Sequence, residues 1–350
     1  MDRKVLKMAT AVILVLTFLI PCTIRRMPDM HEQYALAEEI RSAPILQTHA
    51  KASVAPENVV KESNTLNGQL KIEIPQGTDG SGIKVSEDYL TQTIYIKVAT
   101  DVRDYFSEYD ISGSSDKIAS LQYYNEGENG VIAISMNRLY EFTYKLENGA
   151  LYMDFIDPHD IYDKVIVIDA GHGSRMSGAT KNGIQEKDIN LDIVLQLKAL
   201  FDAYDGNIGV YYTRTDDSNP TLQQRAELAN KAGADLFISV HNNSSGTGNF
   251  TSVNGTQVLY SESDDRELGS KKLAQICLDN VTAATGSNDF GLLKADDIYI
   301  VRSSEAPVAL IEVGFMTNRD ELAKLADPEY QRTAAQGIFN AVLEAVKEGY

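Results

Sequence analysis

The sequence predicts an α/β fold, a mostly parallel sheet flanked by helices, preceded by a small all-β domain. Three observations predict it. Residues 163–350 alternate apolar strand-like runs with amphipathic stretches, the pattern that gives a sheet covered by helices. Residues 164–169 (KVIVID) are a continuous, mostly β-branched run, as suits a strand buried on both faces of a parallel sheet. Residues 68–160 instead carry short runs separated by GTDGSG, SGSSD and NEGENG, whose Gly and Asn accept the positive φ of tight turns.

In chain order, the basic start MDRKVLK precedes an apolar run at residues 9–22 (ATAVILVLTFLIPC). That is the length of a signal-peptide core, whereas a spanning helix needs about 20 residues. Residues 1–26 therefore read as a signal peptide or an N-terminal membrane anchor. Ala35-Leu36-Ala37 has the small-x-small form of a cleavage site, but Arg25, Arg26 and many polar residues separate it from the apolar core, so both options stand. Residues 27–67 show no sustained hydrophobic period and read as a linker.

The runs LKIEI, TIYIKV, GVIAISM, FTYKL and LYMDF supply strands of the β domain, 68–160. After it, the strand at 164–169 is followed by a Gly-rich loop and a helix over 187–204, with Ile189, Ile193, Leu197 and Leu200 three or four apart. Further strands are expected at 209–213, 235–240, 257–260, 298–302 and 308–311. Helices are expected at 222–232, 265–285, 320–325 and 330–346. These elements form a second domain, 163–350.

Composition narrows the function. At 350 residues and 43% hydrophobic, the chain has the size of two domains and enough apolar material for their cores. A net charge of −18 argues against a nucleic-acid partner, because phosphate binding needs clustered Lys and Arg. Cys22 lies in the apolar N-terminal run, so Cys277 reads as a small buried apolar residue, not half of a disulfide.

Ligands of open α/β sheets gather at the carboxyl ends of strands. One such end carries Asp169-Ala-Gly-His172-Gly, another Ile238-Ser-Val-His241, and a late strand delivers Glu312, while Glu186 opens the first long helix. Two imidazoles and a carboxylate match the three-ligand set of a catalytic zinc, whose open position takes a water made acidic by the metal. A further carboxylate can move a proton or steady developing charge. Gly171 and Gly173 would let the backbone approach closely. Singly, each residue has a plain structural alternative: a hydrogen-bonded histidine, a helix-start carboxylate favoured by the dipole, or a Glu312 paired with a neighbour such as Arg302. Their joint occurrence at sheet ends favours the site.

Those residues carry a resemblance. VIVIDAGHG, GATKNGIQEKDINLDI, YYTRTDD, the stretch from Arg225 to Asn230, DLFISVHNNS and APVALIEVGFMTN, in that order and spacing, resemble the zinc-dependent N-acetylmuramoyl-L-alanine amidases of the bacterial envelope over nearly all of 163–350. The resemblance implies His172, Glu186 and His241 as ligands of one zinc ion and Glu312 as the catalytic glutamate. It also implies hydrolysis of the amide between N-acetylmuramic acid and the first L-alanine of the peptidoglycan stem peptide. The chain has Ala170 where the family usually has Pro, Ser174 where it has Gly, and Asn242-Asn243-Ser244 where Ala-Asn-Ala is commoner; none is a proposed ligand. Some relatives block the site with a long helix after the second histidine. Only residues 242–256 are available here, so no such plug is expected.

The β domain resembles, more weakly, the envelope-targeting (AMIN) domain that often precedes these amidases. Chain proximity makes Asn243 and Arg302 candidate substrate-binding residues. The expected partner is peptidoglycan, together with the membrane if the N-terminal segment stays uncleaved, and the expected location is the cell envelope outside the cytoplasm. A non-catalytic wall-binding protein with a vestigial metal site, and a zinc peptidase cutting within the stem peptide, are the rival readings.

Overall fold

The computed structural model describes residues 68–78, 82–100, 102–113, 115–246 and 249–350. The expected signal or anchor segment (1–26) and linker (27–67) lie outside the described residues.

Every second residue of LKIE, and of TIYIKVA from Ile94 to Val98, is buried, which gives each strand one core face. Strands β1 (Leu70–Glu73), β4 (Ile111–Gly113), β7 (Glu141–Glu147) and β8 (Ala150–Ile156) form one sheet in the order β4-β1-β8-β7. Strands β2 (Ile83–Asp88), β3 (Thr93–Ala99), β5 (Ile118–Glu126) and β6 (Asn129–Met136) form another, in the order β2-β3-β6-β5. All pairings in both are antiparallel. Ile72, Ile96, Ile132, Ile134, Leu151 and Met153 from the two sheets share one fully buried core, so the sheets form a sandwich. A one-turn helix, α1 (Tyr105–Glu108), buries Tyr105 beside it. Strands β2, β4 and β5 lie outside the runs expected from sequence. Their residues are mostly half-buried or exposed, so they lack the apolar density that marks the others.

The second sheet contains β9 (Lys164–Ala170), β12 (Ile208–Tyr212), β13 (Leu236–Asn243), β14 (Thr256–Tyr260), β15 (Asp289–Lys294) and β16 (Val308–Phe315), in the order β12-β9-β13-β16-β14-β15. Every neighbouring pair is parallel except β14 with β16. A small hairpin of β10 (Thr180–Lys181) and β11 (Ile184–Gln185) stands apart. The helices are α2 (Glu186–Ala203), α3 (Leu222–Ala232), α4 (Ser270–Thr285), α5 (Tyr299–Arg302), α6 (Arg319–Leu325) and α7 (Pro328–Lys347). Ile166, Ile168, Ile238 and Val240 pack with α2, α4 and α7 on one face. Val165, Val167, Phe237 and Leu310 pack with α3 and α5 on the other, so the β-branched run of β9 is buried on both sides as its composition requires. The start of α3 is set by a reciprocal capping box between Thr221 and Gln224, and its end by Gly233 at φ +62.

Two expectations are corrected. Residues 298–302 form the helical turn α5, not a strand. Neighbouring Ile300 and Val301 are both buried against one face of the sheet, which a strand, sending successive side chains to opposite faces, cannot do. The strand instead is β15, an edge strand whose residues are half-buried or exposed and therefore show no apolar run. The helix expected over 265–285 starts later, at Ser270, because the Asp264 carboxylate accepts from the Ser270 amide at 2.8 Å. Cys277 is buried and unpaired, its thiol pushed up to about 12 by burial. Among the described residues no helix is long and apolar enough to cross a membrane.

The sandwich meets the second sheet through Leu139, packed in the α3-side core, and through Glu141, which accepts from the Tyr211 hydroxyl at 2.5 Å. Burial raises the Glu141 carboxyl to about 7, with Tyr211 opposing and Glu87 adding to the rise; Tyr89 and Tyr162 complete the surroundings. A group whose folded pKa is raised stabilises fully below its unfolded value and loses that contribution as pH climbs to the folded one. From pH 4.5 to 7 the wild type should therefore lose on the order of 3 kcal/mol relative to Glu141→Gln, as measured by chemical denaturation at each pH. Parallel pH profiles for the two proteins would contradict this assignment.

Candidate metal centre at the carboxyl end of the sheet

β9 runs out at Ala170, and the chain turns sharply through Gly171, His172 and Gly173. His172 sits at φ +63, a left-handed conformation that costs a side-chain-bearing residue about 1–2 kcal/mol. The turn closes with reciprocal hydrogen bonds between Gly173 and Met176, 3.0 and 2.9 Å. Gly178, at φ +65, lies where an added Cβ would meet the Glu186 carboxylate and the His172 ring. An added Cβ at Gly171 would meet the His241 ring. The glycines thus make room for the side chains converging beside them.

Glu186 is the first residue of α2 and is buried. Its Oε1 lies 3.1 Å from Nε2 of His172 and 3.0 Å from Nδ1 of His241. The same carboxylate accepts from the amides of Ala179, at 2.8 Å, and Asn242, at 3.3 Å. Burial works against its charge, but the two imidazoles hold it well below the usual carboxylate range. Burial likewise works against protonated His241, yet Glu186 and Glu312 keep its pKa raised. The rings of His172 and His241 meet edge-on, centroids 4.9 Å apart. One donor atom from each of His172, Glu186 and His241 lies within 4.8 Å of the others, and among the described residues this is the group of His, Cys, Asp and Glu able to hold a metal ion. Two imidazole nitrogens and a carboxylate oxygen that close to one another fit a small divalent cation of borderline softness.

Glu312 on β16 is in register with His241 on the adjacent parallel strand, about 4.8 Å away across the sheet. Its Oε2 is buried without a hydrogen-bond partner, and burial raises the carboxyl to about 7, with His241 opposing and Glu186 adding. Gln257 on β14 is the residue opposite Glu312 on its other side, so His241, Glu312 and Gln257 form a row across three strands. Sequence reading missed Gln257. Asn243 does not stand free, since its amide donates to Gln257 at 3.1 Å and its carbonyl accepts from the Ser244 amide at 2.8 Å. Arg302 is not brought to the site. It lies in α5 beyond the amino end of β16, exposed, donating to the Asp297 carbonyl at 2.6 Å and covering the Tyr299 ring. No helix intervenes between β13 and β14 among the described residues.

A family model described as N-acetylmuramoyl-L-alanine amidase (Amidase_3) matches residues 166–344. The chain belongs to this amidase family. It is 36% identical over 182 residues to the uncharacterized protein YqiI of Bacillus subtilis strain 168, covering 52% of this chain and 84% of that one. It is 34% identical over 183 residues to N-acetylmuramoyl-L-alanine amidase LytC of the same organism, covering 52% of this chain and 36% of LytC. Among solved structures, an N-acetylmuramoyl-L-alanine amidase from Clostridium difficile 630 superposes with a TM-score of 0.50 at 32% identity, over 53% of this chain and 98% of that chain. The match excludes the β sandwich and takes in His172, Glu186, His241 and Glu312.

Gly178→Ala would set a methyl group against Glu186 and His172, and, if the three donors hold a divalent metal, is expected to weaken its uptake at least about tenfold in a calorimetric titration. Gly183→Ala, at φ +83 with open space around it, should lower stability by about 1 kcal/mol and leave uptake unchanged. Equal metal affinity in the two variants would separate Glu186 from metal binding.

Proposed function

We propose that the His172–Glu186–His241 cluster at the carboxyl end of the sheet is the active site for hydrolysing the amide between N-acetylmuramic acid and L-alanine in peptidoglycan, with zinc held by these three residues. The observation that carries this reading is the meeting of three donor atoms within 4.8 Å beside a buried, unpartnered carboxylate oxygen of Glu312, inside the segment that matches the amidase family. Zinc bound there would act as a Lewis acid towards the scissile carbonyl and make water acidic enough to lose a proton near neutral pH.

The chain's own groups supply the rest. Glu186 and the two imidazoles present lone pairs to one point, and Ala179 and Asn242 orient the carboxylate. Glu312, one strand from His241, accepts the proton of the attacking water and returns it to the departing alanine nitrogen. Burial of this carboxyl favours its protonated form, the direction that helps it take up the water's proton. Gln257, opposite Glu312 on β14, and Asn243, two residues beyond His241 on β13, are joined by a hydrogen bond and contact the substrate beside the scissile bond.

The family's peptidoglycan substrate supports action outside the cytoplasm, and in this reading residues 1–26 would serve export and, if retained, anchoring. The β sandwich would hold the enzyme to the envelope. Its position ahead of the amidase sheet and its two-sheet architecture support that role.

Glu312→Gln keeps the shape of the side chain and removes its proton-transfer capacity. Its kcat on purified peptidoglycan should fall by about 10²–10⁴, with zinc bound at one equivalent as in wild type. Retained activity in a zinc-loaded Glu312→Gln enzyme would remove Glu312 from the chemistry.

A further inference from the structure

Three consecutive carbonyls, those of Ala170, Gly171 and His172, face two buried guanidinium groups. Arg225, from α3, is 2% exposed. It donates to the Asp169 carboxylate at 2.5 Å, to the carbonyls of Ala170, His172 and Pro220 at 2.7, 2.6 and 3.0 Å, and to the Asn219 side chain at 3.3 Å. All five N–H groups of its fork are thereby used. Arg214, 3% exposed, follows β12 and donates to the carbonyls of Ala170 at 2.8 Å and Gly171 at 2.9 Å. It also reaches those of Asp216 at 2.9 Å and Lys187, the residue after Glu186, at 2.8 Å.

Asp169 ties this pair to the other histidine. It is fully buried and accepts from the hydroxyls of Thr213 and Ser239, both at 2.6 Å. Burial opposes its charge, but Arg225 holds the carboxyl below the usual range, helped by His241 and by the Ser239 and Thr213 hydroxyls. Ser239 precedes His241 by two residues, on the same face of β13, and is in register with Asp169. The network thus touches the backbone of His172, the strand of His241 and the first turn of the helix that carries Glu186.

We propose that Arg225, Arg214 and Asp169 are positioning residues for the metal centre: they hold the left-handed His172 turn and its neighbours in the ligating arrangement, and so set how tightly the metal is bound. The inference rests on the metal-centre reading above. A buried ion pair serving only the core would need one partner for Asp169. Here each guanidinium group gives two of its hydrogen bonds to carbonyls of the ligand-bearing turn, where a bare core pair would have none. Lysine, with three donors on a flexible stem, cannot reproduce the planar fork.

The test uses the full chain, stripped of metal and titrated with Co²⁺, whose visible absorption reports the ligand arrangement. Arg225→Lys should bind cobalt about 10–100-fold more weakly, with displaced absorption bands. If Arg225→Lys does not fold, Ser239→Ala decides, since it removes one hydroxyl from Asp169 and leaves every charge in place; at least threefold weaker binding with a displaced band is expected. Variants that are less stable when metal-free, yet bind cobalt within twofold of wild type with an unchanged spectrum, would overturn the inference and leave a structural role alone. A wild-type chain that takes up no cobalt would overturn the metal-centre reading and this inference with it.

Discussion

Oε1 of Glu186 lies between two imidazoles, 3.1 Å from His172 and 3.0 Å from His241, and the rest of the carboxyl end is arranged around keeping that carboxylate buried and charged. An isolated buried carboxylate would take up a proton. This one is held ionised by the two rings and two backbone amides. Bringing those groups together requires β9 and β13 to be adjacent, α2 to begin at Glu186, and a turn at His172 tight enough to need a left-handed backbone. Each requirement leaves a mark elsewhere, in the glycines at 171 and 178 and in the arginines buried behind the turn.

The parallel order of the sheet explains why so few residues are needed. β13 and β16 are neighbours in register, so a histidine on one and a glutamate on the other stand side by side without help from loops. β14 extends the row to Gln257 in the opposite direction. The two carboxylates of the site receive contrasting treatment. Glu186 is satisfied on every side and stays charged, whereas the buried Oε2 of Glu312 has no partner and the carboxyl is raised to about 7. Environments that push two carboxyls apart in this way suit the proposed division between holding a cation and moving a proton.

The parallel core was legible because burial on both faces demands the runs that β9, β13 and β16 carry, and the site was legible because strand ends in such sheets are where chemistry collects. The edge was not. β15 is half-exposed and shows no apolar run, while Ile298 to Val301 are apolar for a different reason, being one buried turn of helix. Arg302 was a candidate through nearness in sequence to β16 alone, and that nearness is to the amino end of the strand, away from Glu312. The Asp169 and Arg225 network joins residues 56 apart, and its trace in the sequence is faint: an acid inside an otherwise apolar strand and a base on the buried side of α3. Neither periodicity nor composition pairs them. Gln257 escaped notice because its significance comes from register, which a single strand does not reveal.

The central claim is that this site cuts one particular amide, and the products of digestion report it most directly. Purified peptidoglycan incubated with the zinc-loaded chain and analysed by mass should release intact stem peptides with a free amino-terminal L-alanine, leaving glycan strands whole, and a chelator should abolish the release. Fragments cut within the stem peptide, or an undiminished yield in the presence of chelator, would contradict the account.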